Sequence, residues 1–216
     1  MRYKAVLFDM DGTVLDTLAD LTNAVNHVLA QYRMPPRSRQ DVAHFLGNGA
    51  AHLLRMSVVS GTTEETLREM LGVYQPWYDS HCAILTAPYP GIVPLMQGLR
   101  SAGVKQAVIS NKQDSAVKRL AEAHFPGLLE AAVGESAAVR RKPNPDAVLA
   151  ALREMQVSPE EAVYVGDTEV DLQTAENARL DCAPVGWGFR TEEQLRAAGA
   201  GHIFQSADEL RDWLMA

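Results

Sequence analysis

The sequence of 216 residues predicts an α/β protein with a mostly parallel sheet, helices on both faces of the sheet, and an inserted all-helical segment. Short apolar runs alternate with amphipathic stretches, which is typical of βα units. The runs are continuously apolar, as expected for strands that helices cover on both faces. The interval from Asp16 to Ala87 shows only helical periodicity, whereas a crossover between neighbouring parallel strands usually needs one helix.

The predicted strands are short and separated by helical stretches with clear start signals. The strands are Tyr3–Phe8, Val104–Ile109, Ala131–Val133, Ala162–Val165 and Cys182–Val185, with His202–Phe204 as a candidate edge strand. The helix starts carry Ser/Thr-x-x-Glu/Gln capping patterns at Ser158–Glu161, Thr191–Gln194 and Ser206–Glu209. Together these elements predict a Rossmann-like core.

The inserted segment contains three stretches of helical periodicity, at Leu18–Tyr32, Ala50–Val59 and Glu64–Tyr78. Proline and glycine clusters separate these stretches. A proline-rich restart at Ala87–Gly91 precedes the next helix, Ile92–Ala102. We therefore predict a core domain formed by residues 1–15 and 88–216, and a helical cap domain formed by residues 16–87.

Composition and charge exclude several classes of protein. With 20 basic and 27 acidic side chains the net charge is −7, which is unfavourable for binding nucleic acid. Cys82 and Cys182 form no disulfide framework, and the six histidines show no zinc-ligand spacing. No apolar run approaches the ~20 residues that span a bilayer, and we expect no signal peptide at the N-terminus. We predict a cytoplasmic, soluble monomer or homodimer without a membrane partner.

An acidic pair follows the first predicted strand directly, in the segment Asp9-Met10-Asp11-Gly12-Thr13. Ligands of open α/β sheets bind at this carboxyl edge of the strands. One carboxylate could attack as a nucleophile or bind a cation, while the other moves protons. The alternative is an ordinary Asp-Gly turn with solvated carboxylates.

Further polar side chains follow other predicted strands, so they can converge with the acidic pair in one crevice. They are Ser110 and Asn111, Lys142 in Lys142-Pro143-Asn144-Pro145, and Asp167 with Asp171 one helical turn later. Carboxylates such as Asp9 and Asp167 suit Mg²⁺, which prefers oxygen ligands. Ser110 and Lys142 can hold phosphate oxygens. The set suits phosphoryl transfer, in which catalysis is mostly positioning and charge stabilisation.

These four motifs, in this order, resemble the haloacid dehalogenase superfamily, on its phosphatase branch with a helical cap. The resemblance spans Asp9 to Asp171. It implies that Asp9 is the nucleophile and a Mg²⁺ ligand. It also implies that Asp11 is the general acid and then the general base, and that its backbone carbonyl binds the metal.

The resemblance also assigns roles to the other motif residues. It implies that Ser110 and Lys142 hold the transferring phosphoryl group of a small phosphorylated metabolite. Asp167 would be a direct metal ligand, and Asp171 would orient Lys142 or metal-bound water. Among superfamily members, the flanking sequences are most similar to those of phosphoglycolate phosphatases.

Two other reactions of the superfamily do not fit the sequence, whereas two further reactions and one non-enzyme class are alternatives. Dehalogenases lack the second carboxylate, which is present here as Asp11. Phosphonoacetaldehyde hydrolases need a cap lysine, and no lysine occurs between Lys4 and Lys105. Sugar-phosphate mutases and pyrophosphatases stay open. Receiver domains of signalling proteins share an acidic pair and a lysine, but they have no room for a helical insert.

Several residues are predicted to contact the substrate outside these motifs. Gly47, Asn48 and Gly49 precede a predicted helix and could present backbone N–H groups to an anion, or form a flexible turn instead. Arg55 on that helix and Thr13 are also assigned to substrate binding. Asn111 is assigned to the leaving group, with a helix cap as the alternative.

Three basic residues beside the motifs are predicted to play no part in the site. We expect Lys112 and the pair Arg140-Arg141 to be solvated.

Overall fold

The computed structural model describes residues 2–216. In chain order its strands are β1 (Ala5–Phe8), β2 (Leu15–Asp16), β3 (Ala87–Pro88), β4 (Lys105–Gln113), β5 (Ala131–Glu135), β6 (Ala162–Gly166) and β7 (Asp181–Pro184). Its helices are α1 (Leu18–Gln31), α2 (Arg39–Phe45), α3 (Gly49–Ser57), α4 (Glu64–His81), α5 (Ile92–Ser101), α6 (Asp114–His124), α7 (Asp146–Met155), α8 (Glu169–Ala178), α9 (Glu192–Ala197) and α10 (Ala207–Met215).

A five-stranded parallel sheet forms the centre of the molecule, in the order β5-β4-β1-β6-β7. All four residues of β1 are buried, because side chains on both faces of this central strand pack against helices. Val6 and Phe8 share a buried cluster with α5, α6 and α10, whereas Ala5 and Leu7 pack with α7 and α8. The predicted fold class is confirmed.

Helices α1 to α4 lie between β2 and β3 and form the inserted helical segment. Helices α1 and α3 both pack against α2 and α4. Apolar residues of the segment, such as Leu21 and Met70, belong to the same buried cluster as Phe8 of β1. The insert therefore packs onto one face of the core as a continuation of its apolar interior.

The chain enters and leaves the insert through a two-stranded ribbon that the sequence does not predict. Strands β2 and β3 pair antiparallel, with Leu15 opposite Pro88 and Asp16 opposite Ala87. A strand of two residues is too short to show any hydrophobic period. Close by, the buried carboxylate of Asp20 accepts hydrogen bonds from the return segment, which fixes α1 to that segment.

Two predicted elements are less regular in the structure than the sequence indicates. His202–Phe204 forms no strand, and only Phe204 makes an isolated bridge, to Val185 directly after β7. The capping pattern at residues 158–161 starts only a 3₁₀ turn, Pro159–Glu161, because β6 begins at the next residue. In contrast, Thr191 and Ser206 accept hydrogen bonds from main-chain N–H groups of α9 and α10, as their capping patterns predict.

Strand β4 is longer than predicted. It continues past Ile109 to Gln113, with a register shift against β5 between these two residues. The apolar run ends at Ile109, but the following polar residues stay buried because the insert covers them. The extension carries Ser110 and the next residues beneath the insert.

Within residues 2–216, no helix is both long and apolar enough to cross a membrane. Cys82 and Cys182 are free thiols.

Candidate active site

The carboxyl ends of β1, β4 and β6 bring the polar motif residues together. Asp9 directly follows β1, Ser110 and Asn111 lie near the end of β4, and Asp167 directly follows β6. Lys142 joins them from the loop before α7. All five side chains are buried, although each is polar or charged. Burial of so many polar groups at one edge of the sheet indicates a site rather than a packing core.

Lys142 is the electrostatic centre of this group. Its Nζ donates to Asp9 Oδ1 (2.8 Å), Asp171 Oδ1 (2.7 Å) and Tyr164 Oη (3.0 Å). The tyrosine hydroxyl in turn donates to the carbonyl of Ile109 (2.9 Å). An ammonium group has three donors, so the protein itself satisfies all of the donors of Lys142.

Three carboxylates crowd together beside this lysine. Asp9, Asp167 and Asp171 each offer an oxygen atom, and these atoms all lie within 4.8 Å of one another. Asp167 is held in place by Thr13, whose Oγ1 donates to its Oδ1 (2.9 Å), and by the N–H of Phe189 (2.7 Å to Oδ2). Thr13 is completely buried and does not line the cavity. In this structure it holds Asp167 in place, and the predicted contact with the substrate is not accessible to it.

A glycine turn permits this close approach. Gly12, which follows Asp11, has a φ of 85° in the left-handed region. A Cβ at this position would lie 2.4 Å from Oδ2 of Asp167, far inside contact distance. The Asp-Gly turn therefore packs directly against the carboxylate of Asp167, and the alternative of a solvated turn does not hold.

The crowding changes the charge state of the carboxyl groups. Burial, together with repulsion from Asp171 and Asp11, raises the pKa of Asp9 to about 7, although Lys142 opposes the rise. Burial also raises the pKa of Asp167 well above its usual range, with added repulsion from Asp171 and Asp9. Burial lowers the pKa of Lys142, but the two aspartates that it contacts outweigh this and raise it well above its ordinary value.

These oxygen donors fit a hard divalent cation. Lys142 compensates Asp171 and one oxygen of Asp9, while Asp167 contacts no basic side chain among residues 2–216. A cation between Asp9 and Asp167 would supply the missing positive charge and favour their ionised forms.

Asp11 lies on the other side of the site and is paired with Lys112. Its Oδ1 accepts from Thr17 Oγ1 (2.6 Å) and lies 3.0 Å from Lys112 Nζ. The same ammonium group contacts Tyr78 of α4, 2.5 Å from its hydroxyl and 4.3 Å from its ring centroid.

The prediction that Lys112 is solvated is wrong, since only 4% of its side chain is exposed. The extension of β4 beneath the insert buries it. Because side chains alternate along a strand, Lys112 shares a face with Ser110, and this spacing is the signal that could have identified it.

A cavity of about 50 Å³ lies between this edge of the sheet and the insert. The core side contributes the charged and polar residues of the site. The insert contributes mainly apolar side chains, such as Leu21, Leu53 and Tyr74, together with Gly47 and Gly49 at the start of α3. A single water needs roughly 10–15 Å³ by this measure, so the cavity has room for only a few small groups.

Arg55 does not reach this cavity. Its side chain is 52% exposed and forms an ion pair with Glu64 at the start of α4. The contact between Arg55 and a substrate therefore stays a prediction. Asn48 also lies outside the cavity lining.

Three consecutive carbonyl groups of the insert each accept a hydrogen bond from a different core side chain. They are Leu46 from Arg190 (2.8 Å), Gly47 from Asn111 (3.0 Å) and Asn48 from Arg141 (3.1 Å). We call residues 46–48 with these donors the carbonyl clasp. It holds the start of α3 over the cavity.

The donors of the clasp are themselves fixed. Arg190 is buried and forms two hydrogen bonds to the carboxylate of Glu169 (2.8 and 3.1 Å). Asn111 accepts a hydrogen bond from the main-chain N–H of Lys142 (2.8 Å) and donates one to its carbonyl (3.0 Å). Asn111 therefore links the end of β4 and the Lys142 loop to the insert. Arg141 was predicted to be solvated, and 44% of its side chain is exposed; besides the clasp it contacts Glu135.

Known proteins show the same architecture. Residues 6–185 match the family model described as haloacid dehalogenase-like hydrolase. Phosphoglycolate phosphatase 1 of Pseudomonas aeruginosa is 34% identical, over 98% of this chain and 78% of its own length. The N-acetylmuramic acid 6-phosphate phosphatase of that organism is 32% identical, over 99% and 96%. A crystal structure from Lactobacillus delbrueckii subsp. bulgaricus, provisionally named a phosphoglycolate phosphatase, is 38% identical, covers 99% of both chains and has a TM-score of 0.93.

Proposed function

Because this chain belongs to the haloacid dehalogenase-like hydrolase family, we propose that it hydrolyses a small phosphate monoester such as 2-phosphoglycolate through an aspartyl-phosphate on Asp9. The chain is a phosphatase and is similar to phosphoglycolate phosphatases. The observation that carries the mechanism is the position of Asp9, at the end of the central strand, lining the cavity and held by Lys142.

The proposed reaction has two steps. The carboxylate of Asp9 attacks phosphorus, an O–P bond forms to Asp9, and the ester O–P bond breaks while Asp11 gives a proton to the leaving oxygen. Water then attacks the phosphorus of the acyl phosphate, and Asp11 accepts its proton. Inorganic phosphate leaves and the carboxylate of Asp9 is restored. Ser110, which lines the cavity with Asp9 and Lys142, would donate to a phosphoryl oxygen, and the positive charge of Lys142, whose three donors are taken, would stabilise the phosphoryl group.

We also propose that the site uses Mg²⁺. The carboxylates of Asp9 and Asp167 and the backbone carbonyl of Asp11 would hold the ion, which supplies positive charge beside the phosphoryl group. Asp171 would support the site through Lys142, to which it is bonded. The raised pKa values of Asp9 and Asp167 support this proposal, since they reflect burial and repulsion between carboxyl groups, both of which a bound cation would offset.

Chelation tests the metal. We expect hydrolysis of p-nitrophenyl phosphate to fall by ~100-fold or more in excess EDTA and to return with added Mg²⁺. Ca²⁺ should inhibit, because its looser and higher coordination misplaces the nucleophile. Phosphate release followed at fixed enzyme concentration measures both effects. Full activity in EDTA would contradict the metal site.

We propose that residues 16–87 act as a cap that selects the substrate. The cavity lies between this segment and the core and is small, which favours a compact leaving group over a sugar or a nucleoside. The test is a panel of phosphoglycolate, sugar phosphates, nucleotides and pyrophosphate, ranked by kcat/KM with Mg²⁺. Phosphoglycolate should rank first. Conversion of a sugar phosphate to its isomer without phosphate release would instead indicate a mutase.

A further inference from the structure

We propose that Lys112 binds a carboxylate on the leaving group of the substrate and so determines the specificity of the enzyme. This inference rests on the proposed phosphatase function and assigns the contact that would distinguish an anionic leaving group from a neutral one. It concerns a residue that the two-step reaction does not use.

The first argument is the hydrogen-bonding capacity of Lys112. Its side chain is almost completely buried and lines the cavity. One of its three ammonium donors is matched by Asp11 (3.0 Å) and another by Tyr78 Oη (2.5 Å). Among residues 2–216, no acceptor matches the third donor, which leaves it for a ligand in the cavity.

The second argument is that the other basic residue of the cavity is fully engaged. Lys112 and Lys142 are the only lysine or arginine side chains that line it within residues 2–216. All three donors of Lys142 already have acceptors on Asp9, Asp171 and Tyr164. If the phosphoryl group lies against Asp9 and Lys142, the free donor of Lys112 can meet a second part of the same molecule.

The third argument is the character of the remaining wall. Leu21, Leu53 and Tyr74 offer the leaving group mainly apolar surface. The first turn of the nine-residue helix α3 also borders the cavity through Gly49 and Ala50, and a helix N-terminus favours negative charge. An apolar leaving group would leave the buried ammonium donor of Lys112 unsatisfied, whereas a carboxylate would accept its hydrogen bond and also add the attraction between opposite charges.

The test compares two substrates of the same shape, 2-phosphoglycolate and its uncharged amide, 2-phosphoglycolamide. Wild-type enzyme should prefer the carboxylate. Lys112→Met keeps the length of the side chain and removes its charge. It should lower kcat/KM for 2-phosphoglycolate by about 10- to 100-fold more than for the amide, the range for a hydrogen bond between charged groups. Lys112→Arg should retain part of the preference because it retains the charge.

Two further variants separate this role from a structural one. Tyr78→Phe removes the hydroxyl contact but leaves the ammonium group, so the preference for the carboxylate should persist. If Lys112→Met does not fold, as judged by circular dichroism, Lys112→Gln takes its place. Binding is then titrated calorimetrically in Asp9→Asn enzyme, which does not consume substrate, and the carboxylate should again bind more tightly than the amide only when Lys112 is present.

The outcomes distinguish this inference from the proposed function. Equal loss on both substrates in the Lys112 variants would overturn it and leave Lys112 as a residue that only positions Asp11. Equal use of both substrates by wild-type enzyme would also overturn it, while the phosphatase activity stands. If wild-type enzyme releases phosphate from no ester, the proposed function fails, and the calorimetric comparison still decides whether Lys112 recognises the carboxylate.

Discussion

Asp9→Asn is expected to lower kcat by about 10³-fold or more for every phosphate ester, because an amide cannot take the place of the attacking carboxylate. The amide oxygen can still accept the hydrogen bond from Lys142. The fold should be retained and the unfolding temperature should not fall. The pKa of the buried Asp9 carboxyl is raised in the folded protein, so its ionisation destabilises the folded state at any pH above the pKa that it has in the unfolded chain. The substitution removes this destabilisation. Phosphate release and thermal unfolding at neutral pH measure the two effects.

A matched control uses Asp181→Asn, at a half-exposed aspartate that contacts Arg2 and Tyr3 away from the cavity. This variant should keep wild-type turnover. In addition, beryllium fluoride with Mg²⁺ should form a phosphoryl-like adduct on Asp9 of the wild-type protein and none on Asp9→Asn. Turnover near the wild-type rate in Asp9→Asn would end its assignment as the nucleophile.

Asp11→Asn should separate the two steps of the reaction. An alkoxide is a poor leaving group that needs a proton, whereas p-nitrophenolate does not. Formation of the phospho-enzyme from an alkyl phosphate should therefore slow by roughly 10²- to 10⁴-fold, the usual range for general acid catalysis, with a much smaller effect on p-nitrophenyl phosphate. Because the second step lacks its base, covalent phosphate should accumulate with the aryl substrate. Rapid-quench measurement of bound phosphate follows both steps.

The ion pair with Lys112 requires its own control in this experiment. Asp11→Asn removes the charge partner of Lys112 as well as the proton donor. Lys112→Met disturbs the same pair from the other side but retains the carboxyl group of Asp11. It should therefore show no accumulation of covalent phosphate. Equal slowing with both leaving groups in Asp11→Asn, without accumulation, would show that Asp11 is neither acid nor base.

Most of the core could be predicted because its signals are local. Continuous apolar runs identify strands buried on both faces, and the polar residues that follow them must meet at one edge of a parallel sheet. The ribbon of β2 and β3 lies below the length at which a period can be recognised. The extension of β4 was missed because residues such as Ser110 and Lys112 are polar, and they are buried only by a segment that is distant in sequence.

Contacts between the insert and the core were the least predictable. Arg190 and Leu46 are 144 positions apart, and nothing in either local sequence indicates their hydrogen bond. Arg55 illustrates the same difficulty. Its position two turns into a helix beside the site suggests a ligand, but here it pairs with Glu64 at the next helix start, a contact that its local sequence does not indicate.

The carbonyl clasp has a consequence for how such an enzyme can acquire a new specificity. All three of its acceptors belong to the main chain, so replacing the side chains of Leu46 or Asn48 leaves the acceptors in place. Only Gly47 is restricted, because its φ of 111° suits glycine. The sequence of the insert can therefore diversify, by natural selection or in the laboratory, while Arg141, Arg190 and Asn111 continue to hold it in place over the cavity.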